Sequence, residues 1–136
     1  MPRYLLDTNI CIFIAKRKPR EVLDRFETLD AGDVAISLVT YGELVYGAMR
    51  STLQPETMAT ITRLAEAIPV LPMTVDTATH YGAIRAFLAA AGTKIGNDDL
   101  WTAAHARAAG LTLVTSDETG FRHVPDLRVE NWVVPK

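Results

Sequence analysis

The sequence is short of cysteine: Cys11 is the only one in 136 residues, which excludes an intramolecular disulfide and a cysteine-rich zinc centre. Such usage suits a reducing compartment, so a cytoplasmic location is the expectation. Long apolar runs are missing too. Nothing approaches the roughly 18 residues of a membrane span, and the opening MPRYLLDTNICIFIAKRK sets Asp7 and Asn9 inside its apolar stretch, which reads as core rather than signal peptide. No repeat, low-complexity tract or Ser/Gly-rich linker divides the chain, so a single domain over 1–136 is expected. An excess of positive charge is absent as well: 14 Lys+Arg stand against 16 Asp+Glu, a formal net charge of −2, so any contact with nucleic acid must be local. The histidines His80, His105 and His123 are scattered, without an HExxH pattern or a cysteine partner, which argues against zinc.

What is present suffices for a core. Hydrophobic residues make up 49% of the chain, and for this mass area scaling leaves roughly 7,000 Å² exposed of about 21,600 Å² in the unfolded chain. Short apolar runs alternate with helical stripes. Arg3 to Leu6, Val34 to Ile36, Val70-Leu71 and Leu111 to Thr115 read as strands, and a fifth is expected from Leu127 to Val129 or Trp132 to Val134, framed by Pro125 and Pro135. Between them, helices are expected over Ile10 to Ala15, from Pro19 along Val22, Leu23, Phe26 and Leu29 toward Gly32, from Thr40 along Leu44, Val45, Ala48 and Met49, and from Pro55 along Met58, Ile61, Leu64 and Ile68. Asp76 to Ala91 and Leu100 to Ala109 follow, ended by Gly92 and Gly110. Strands separated by helices imply a parallel sheet covered on both faces, a three-layer α/β/α architecture.

In such sheets ligands gather beyond the carboxyl ends of the strands, and here those positions are acidic. Asp7 follows the first strand, Asp117 lies two residues past the fourth, Asp98 and Asp99 head the helix before the fourth, and Glu43 lies early in the helix after the second. Each has a bland reading. Asp7 and Asn9 suit a turn or helix cap, Thr40 to Glu43 matches a capping box, Asp98 and Asp99 suit a helix N-terminus, and Asp117 with Gly120 suits a turn. Independent caps, however, have no reason to converge on one edge of a sheet. No lysine or arginine sits beside these motifs, and clustered carboxylates without a base take up protons or a hard cation such as Mg²⁺ or Mn²⁺. A metal site of that kind suits phosphodiester hydrolysis by an activated water.

The segments LLDTN (5–9), ISLVTYGELVYG (36–47), IGNDDLWTAAHA (95–106) and LVTSDETGF (113–121), in this order, resemble the PIN-domain family, specifically the VapC-type toxins of prokaryotic toxin-antitoxin modules, from Tyr4 to the closing LRVENW. The resemblance implies an Mg²⁺-dependent endoribonuclease, with Mn²⁺ as a substitute, whose acidic quartet maps onto Asp7, Glu43, Asp99 and Asp117. It further implies a homodimer, a cognate VapB-like antitoxin and an RNA substrate of the tRNA or rRNA class. Many relatives carry a proline after the glycine of IGNDDL and a single aspartate before the leucine; aligning on Leu100 and AAHA selects Asp99. Helix neighbours point about 100° apart, so Asp98 is expected as a cap or in an outer role. Thr8, Asn9, Thr115 and Ser116 are candidates to orient the acids by hydrogen bonds.

Other features have plainer readings. His105 is expected to be a hydrogen-bonded packing residue, Lys16 to Arg20 a solvated helix end with contact to RNA phosphate as its second reading, and Trp101 either a base-stacking residue or part of the packing on the sheet. Tyr41, Tyr46 and Met49 suit either an apolar groove that takes a partner helix or ordinary core or dimer packing. A haloacid-dehalogenase-like phosphatase would need a second aspartate where Asn9 stands. A receiver-like Mg²⁺-binding signalling domain, the alternative reading, would need a phosphoacceptor aspartate at the end of the third strand, where Pro72-Met73 stands.

Overall fold

The structure is a computed structural model that describes residues 2–133. Five strands, β1 (Tyr4–Leu6), β2 (Val34–Ser37), β3 (Val70–Leu71), β4 (Thr112–Thr115) and β5 (Val129–Asn131), form one sheet in the order β3-β2-β1-β4-β5. Every pairing is parallel, with Leu5 opposite Ala35 on one side and Leu113 on the other. Six helices cross between strands: α1 (Thr8–Lys16), α2 (Arg20–Glu27), α3 (Leu38–Met49), α4 (Gln54–Ala67), α5 (Val75–Ala90) and α6 (Asn97–Ala109). The expected three-layer α/β/α fold is therefore observed.

Alternation along the strands separates two cores. Leu6, Val34, Ile36 and Val114 face a cluster completed by Ile10, Leu44, Ala48, Ile61 and Leu64 from α1, α3 and α4. Leu5, Ala35 and Leu113 face the opposite cluster, with Ile84, Leu88, Leu100 and Ala103 from α5 and α6. A strand buried on both faces has no polar position to spare, which is why these runs read as continuous apolar stretches. Each fully buried leucine contributes about 1.5–3 kcal/mol.

Element boundaries differ from the sequence expectations where local capping decides them. The second helix stops at Glu27 rather than running toward Gly32, and a separate 3-10 turn, Ala31–Asp33, follows with a reciprocal Asp30/Asp33 capping box. The third helix starts at Leu38, before Thr40, because the Ser37 side chain accepts from the Val39 N–H. The fifth strand lies between the two runs considered for it, beginning at Val129; Val134 lies outside the described residues. Gly110 ends α6 in the left-handed region at φ 71°, as its place in the sequence implied.

Candidate active site

The strand order reverses at β1, which has β2 on one side and β4 on the other, so a crevice opens beyond the carboxyl ends of β1 and β4. Asp7 is the first residue past β1 and the N-cap of α1, accepting from the Thr8 N–H at 2.8 Å. Its other oxygen accepts from Thr115 Oγ1 at 3.0 Å, at the end of β4. The cap and the candidate catalytic role thus coexist in one side chain. Glu43 projects from α3 and accepts from Thr8 Oγ1 at 2.9 Å. Asp99 lies in the first turn of α6, and Asp117 sits in the loop after β4, where its Oδ1 accepts from the Thr119 N–H at 3.0 Å.

These four acids line one open cavity of about 240 Å³, together with Thr8, Asn9 and Thr115. Its remaining wall is Ile95, Gly120 and Phe121, residues that carried no chemical signal in the sequence. Gly120 is needed there for space: a Cβ on it would stand 2.7 Å from Ile95 Cγ2. Asn9 donates to Ser116 Oγ at 3.4 Å, so Ser116 holds Asn9 rather than an acid.

One bland reading is overturned: Glu43 does not close a capping box with Thr40, because Ser37 is the cap and Thr40 lies buried inside the helix. Asp98 and Asp99 both lie in the first turn of α6, the helix N-terminus expected for them, but Asp98 is not the cap: Gly96 holds that position, without any side-chain hydrogen bond. Asp98 stays outside the cavity, and its charge acts on Glu43 and Asp99. A basic neighbour also emerges that the motifs did not show, since Arg122 is close enough to favour the Asp117 carboxylate.

The electrostatics divide the quartet. Burial pushes Asp7 above the ordinary carboxylate range, against the pull of its Thr8 and Thr115 hydrogen bonds. Burial also raises Glu43, whose Thr8 hydrogen bond opposes it, while Asp98, Asp7 and Asp99 add repulsion. Asp99 is raised by burial and then by Asp7, Asp98 and Asp117. Asp117 alone is lowered, by its bonds to Thr119. Half-buried carboxylates that repel one another, with no cation among the three innermost, form a donor set suited to a hard divalent ion. Among the described residues no three or more His, Cys, Asp or Glu side chains are placed close enough together to hold one metal ion between them. Mg²⁺ characteristically uses one or two carboxylates and fills its shell with water and substrate oxygens, so the donor chemistry fits without a closed protein cage.

A family model for the PIN domain matches residues 4–127. The chain belongs to the PIN-domain family, among its VapC ribonucleases. It is 44% identical over 132 residues to the tRNA(fMet)-specific endonuclease VapC of Shigella flexneri, covering 97% of this chain and 99% of that protein. It is 41% identical to Ribonuclease VapC2 of Haemophilus influenzae, over 98% of this chain and 100% of the relative. The crystal structure of DNA-bound VapBC from Salmonella typhimurium matches with a TM-score of 0.91 at 37% identity, covering 97% of this chain and 99% of that one. The receiver-like alternative finds no acid at its required place, because β3 ends at Leu71 and is followed by Pro72 and Met73.

Elsewhere the PIN domain settles the plainer readings. His105 is 4% exposed and shares a 2.8 Å hydrogen bond with Ser37 Oγ, a packing role as expected. Arg17 closes α1 in the left-handed region, which makes the basic run a helix end. Trp101 stacks on Tyr81 of α5, with centroids 3.9 Å apart, and so packs on a helix rather than on the sheet. Tyr41 packs against the core, whereas Tyr46 and Met49 join Leu38 and Leu53 as an exposed apolar stripe on and just after α3.

Proposed function

We propose that this PIN domain is an Mg²⁺-dependent endoribonuclease, the toxin of a type II toxin-antitoxin module, acting on RNA of the tRNA or rRNA class. The observation that carries the reading is the convergence of Asp7, Glu43, Asp99 and Asp117 on one cavity at the switch point of the sheet. Asp7 and Asp99 would hold the principal ion, with Mn²⁺ as a substitute, and Glu43 and Asp117 would complete the site. When bound, such an ion neutralises charge developing on the phosphate and lowers the pKa of a water.

The chain's own groups prepare that site. Thr115 and the Thr8 N–H fix both oxygens of Asp7, and the Thr8 hydroxyl fixes Glu43, so two acids from different layers are oriented by adjacent groups. Asp117, kept ionised by Thr119, stands at the exposed rim. No protein nucleophile is needed. Partners follow from the relatives: VapC proteins crystallise as VapBC complexes, and a VapB-like antitoxin and a second copy of the chain are the proposed occupants of its apolar surface. The exposed stripe of Leu38, Tyr46, Met49 and Leu53 supports such coverage. Among the described residues no helix is long and apolar enough to cross a membrane, and a cytoplasmic site of action is proposed with the RNA substrate.

The test is incubation of the purified chain with total cellular RNA, with Mg²⁺ or with EDTA. Cleavage is expected only with the divalent ion and only without Asp7→Asn. Cleavage indifferent to both would refute the proposal.

A further inference from the structure

Beside the acidic cavity lies a second one of about 420 Å³, between the C-terminal half of α5 and the start of α6, within the roughly 300–1,000 Å³ of small-ligand sites. Its apolar lining comes chiefly from Leu88, Ile95 and Leu100, and its polar side chains are Arg85, Thr93, Lys94 and Asn97. Ile95 is a wall of both cavities, so a single side chain separates them. Neither Arg85 nor Lys94 has a carboxylate partner within salt-bridge distance among the described residues. The Tyr81 hydroxyl receives a 2.7 Å hydrogen bond from Arg85 and donates one of 2.6 Å to Asn97 Oδ1, and Tyr81 also stacks on Trp101. The groove is thus braced across both helices before anything binds.

We infer that this groove is a nucleotide subsite, which takes one unpaired base of the RNA onto its apolar floor and the adjoining phosphate against Lys94 and Arg85. The inference rests on the nuclease reading above and adds where the strand runs. An RNA approaching the quartet meets like charge, since the phosphates and the four carboxylates repel. Two cations one side chain away offset that repulsion while leaving the carboxylates unpaired, and an apolar floor suits the flat face of a base. A peptide would need no such combination of cations and base-sized apolar floor next to an acidic cavity.

The experiment measures binding of a fluorescein-labelled 12-nucleotide single-stranded RNA of random sequence to the full chain carrying Asp99→Asn, which keeps the RNA uncut. Lys94→Glu changes the charge at the groove, and Ala89→Trp fills it from an exposed helix position. Arg63→Glu, on the exposed face of α4, makes the same change in net charge at a distance. Lys94→Glu and Ala89→Trp are each expected to weaken binding about tenfold, with Arg63→Glu within about twofold of the parent. In the otherwise unsubstituted chain, Lys94→Glu is expected to raise KM about tenfold with kcat within about twofold. Equal effects of Lys94→Glu and Arg63→Glu, no effect of Ala89→Trp, or no RNA binding by the parent would overturn the subsite. So would an Ala89→Trp effect confined to the mass of the assembly, which would assign the groove to a contact between copies. Failure of the unsubstituted chain to cleave any RNA is read separately and counts against the nuclease reading.

Discussion

Thr8 Oγ1 donates to Glu43 Oε1 at 2.9 Å, and the Thr8 N–H donates to Asp7 at 2.8 Å, so one residue orients an acid just past β1 and another on α3. Thr8→Val keeps the shape and the backbone N–H but deletes the hydroxyl donor. Stability should fall by about 0.5–1.5 kcal/mol, the net worth of one such hydrogen bond. The Mg²⁺ concentration giving half-maximal cleavage should rise about 10-fold or more, as for other lost ligand-orienting contacts. A Mg²⁺ titration of cleavage, with a urea melt alongside, checks both.

Asp7→Asn and Asp99→Asn should each lower RNA cleavage by about 10²-fold or more. The same substitutions should raise the melting temperature in EDTA. Both carboxylates are held above their ordinary range, chiefly by burial, so folding favours the protonated form. Ionisation at neutral pH therefore works against the fold, and the stabilisation present below the unfolded pKa is lost as pH rises through the folded one. Asparagine keeps the Asp7 cap oxygen and removes the charge. Differential scanning fluorimetry at pH 7.5 reads the shift.

His105 is held below the ordinary histidine range by burial beside Ser37. The unfolded chain therefore binds this proton first as pH falls, and the contribution to stability is complete above about pH 6.5 and declines below it toward the folded pKa. Urea midpoints measured from about pH 5 to 7.5 should slope less steeply for His105→Gln than for the parent.

Gly110 closes α6 at φ 71° with nothing within 4 Å of a Cβ built on it. Its value is conformational and not steric. Gly110→Ala should cost about 1 kcal/mol, read as a lower urea midpoint with an unchanged slope.

Cys11 is fully buried, and burial, then the charge of Asp7, push its thiol well up. A thiol-specific reagent should leave the native chain unmodified for hours and react at once in urea, as mass spectrometry would show.

The sequence by itself determined the alternation of strands and helices, because runs such as Leu5-Leu6 and Leu113-Val114 are apolar on both faces and only a two-sided parallel sheet buries them. It also determined which carboxylates to consider, since Asp7, Asp98, Asp99 and Asp117 follow or head an element and Glu43 lies early in the helix after β2. The tertiary structure decided the rest. Whether Glu43 closes a capping box turned on where α3 begins, and the Ser37 hydroxyl took the cap position that the sequence had offered to Thr40. Asp99 lines the cavity and Asp98 does not, because adjacent helix positions face different ways and only the packing of α6 fixes which way faces the crevice. The sequence marked Gly120 as a turn glycine and Ile95 as part of a motif, but that the two meet as a wall, with a groove behind it, was decided only by what folds against them.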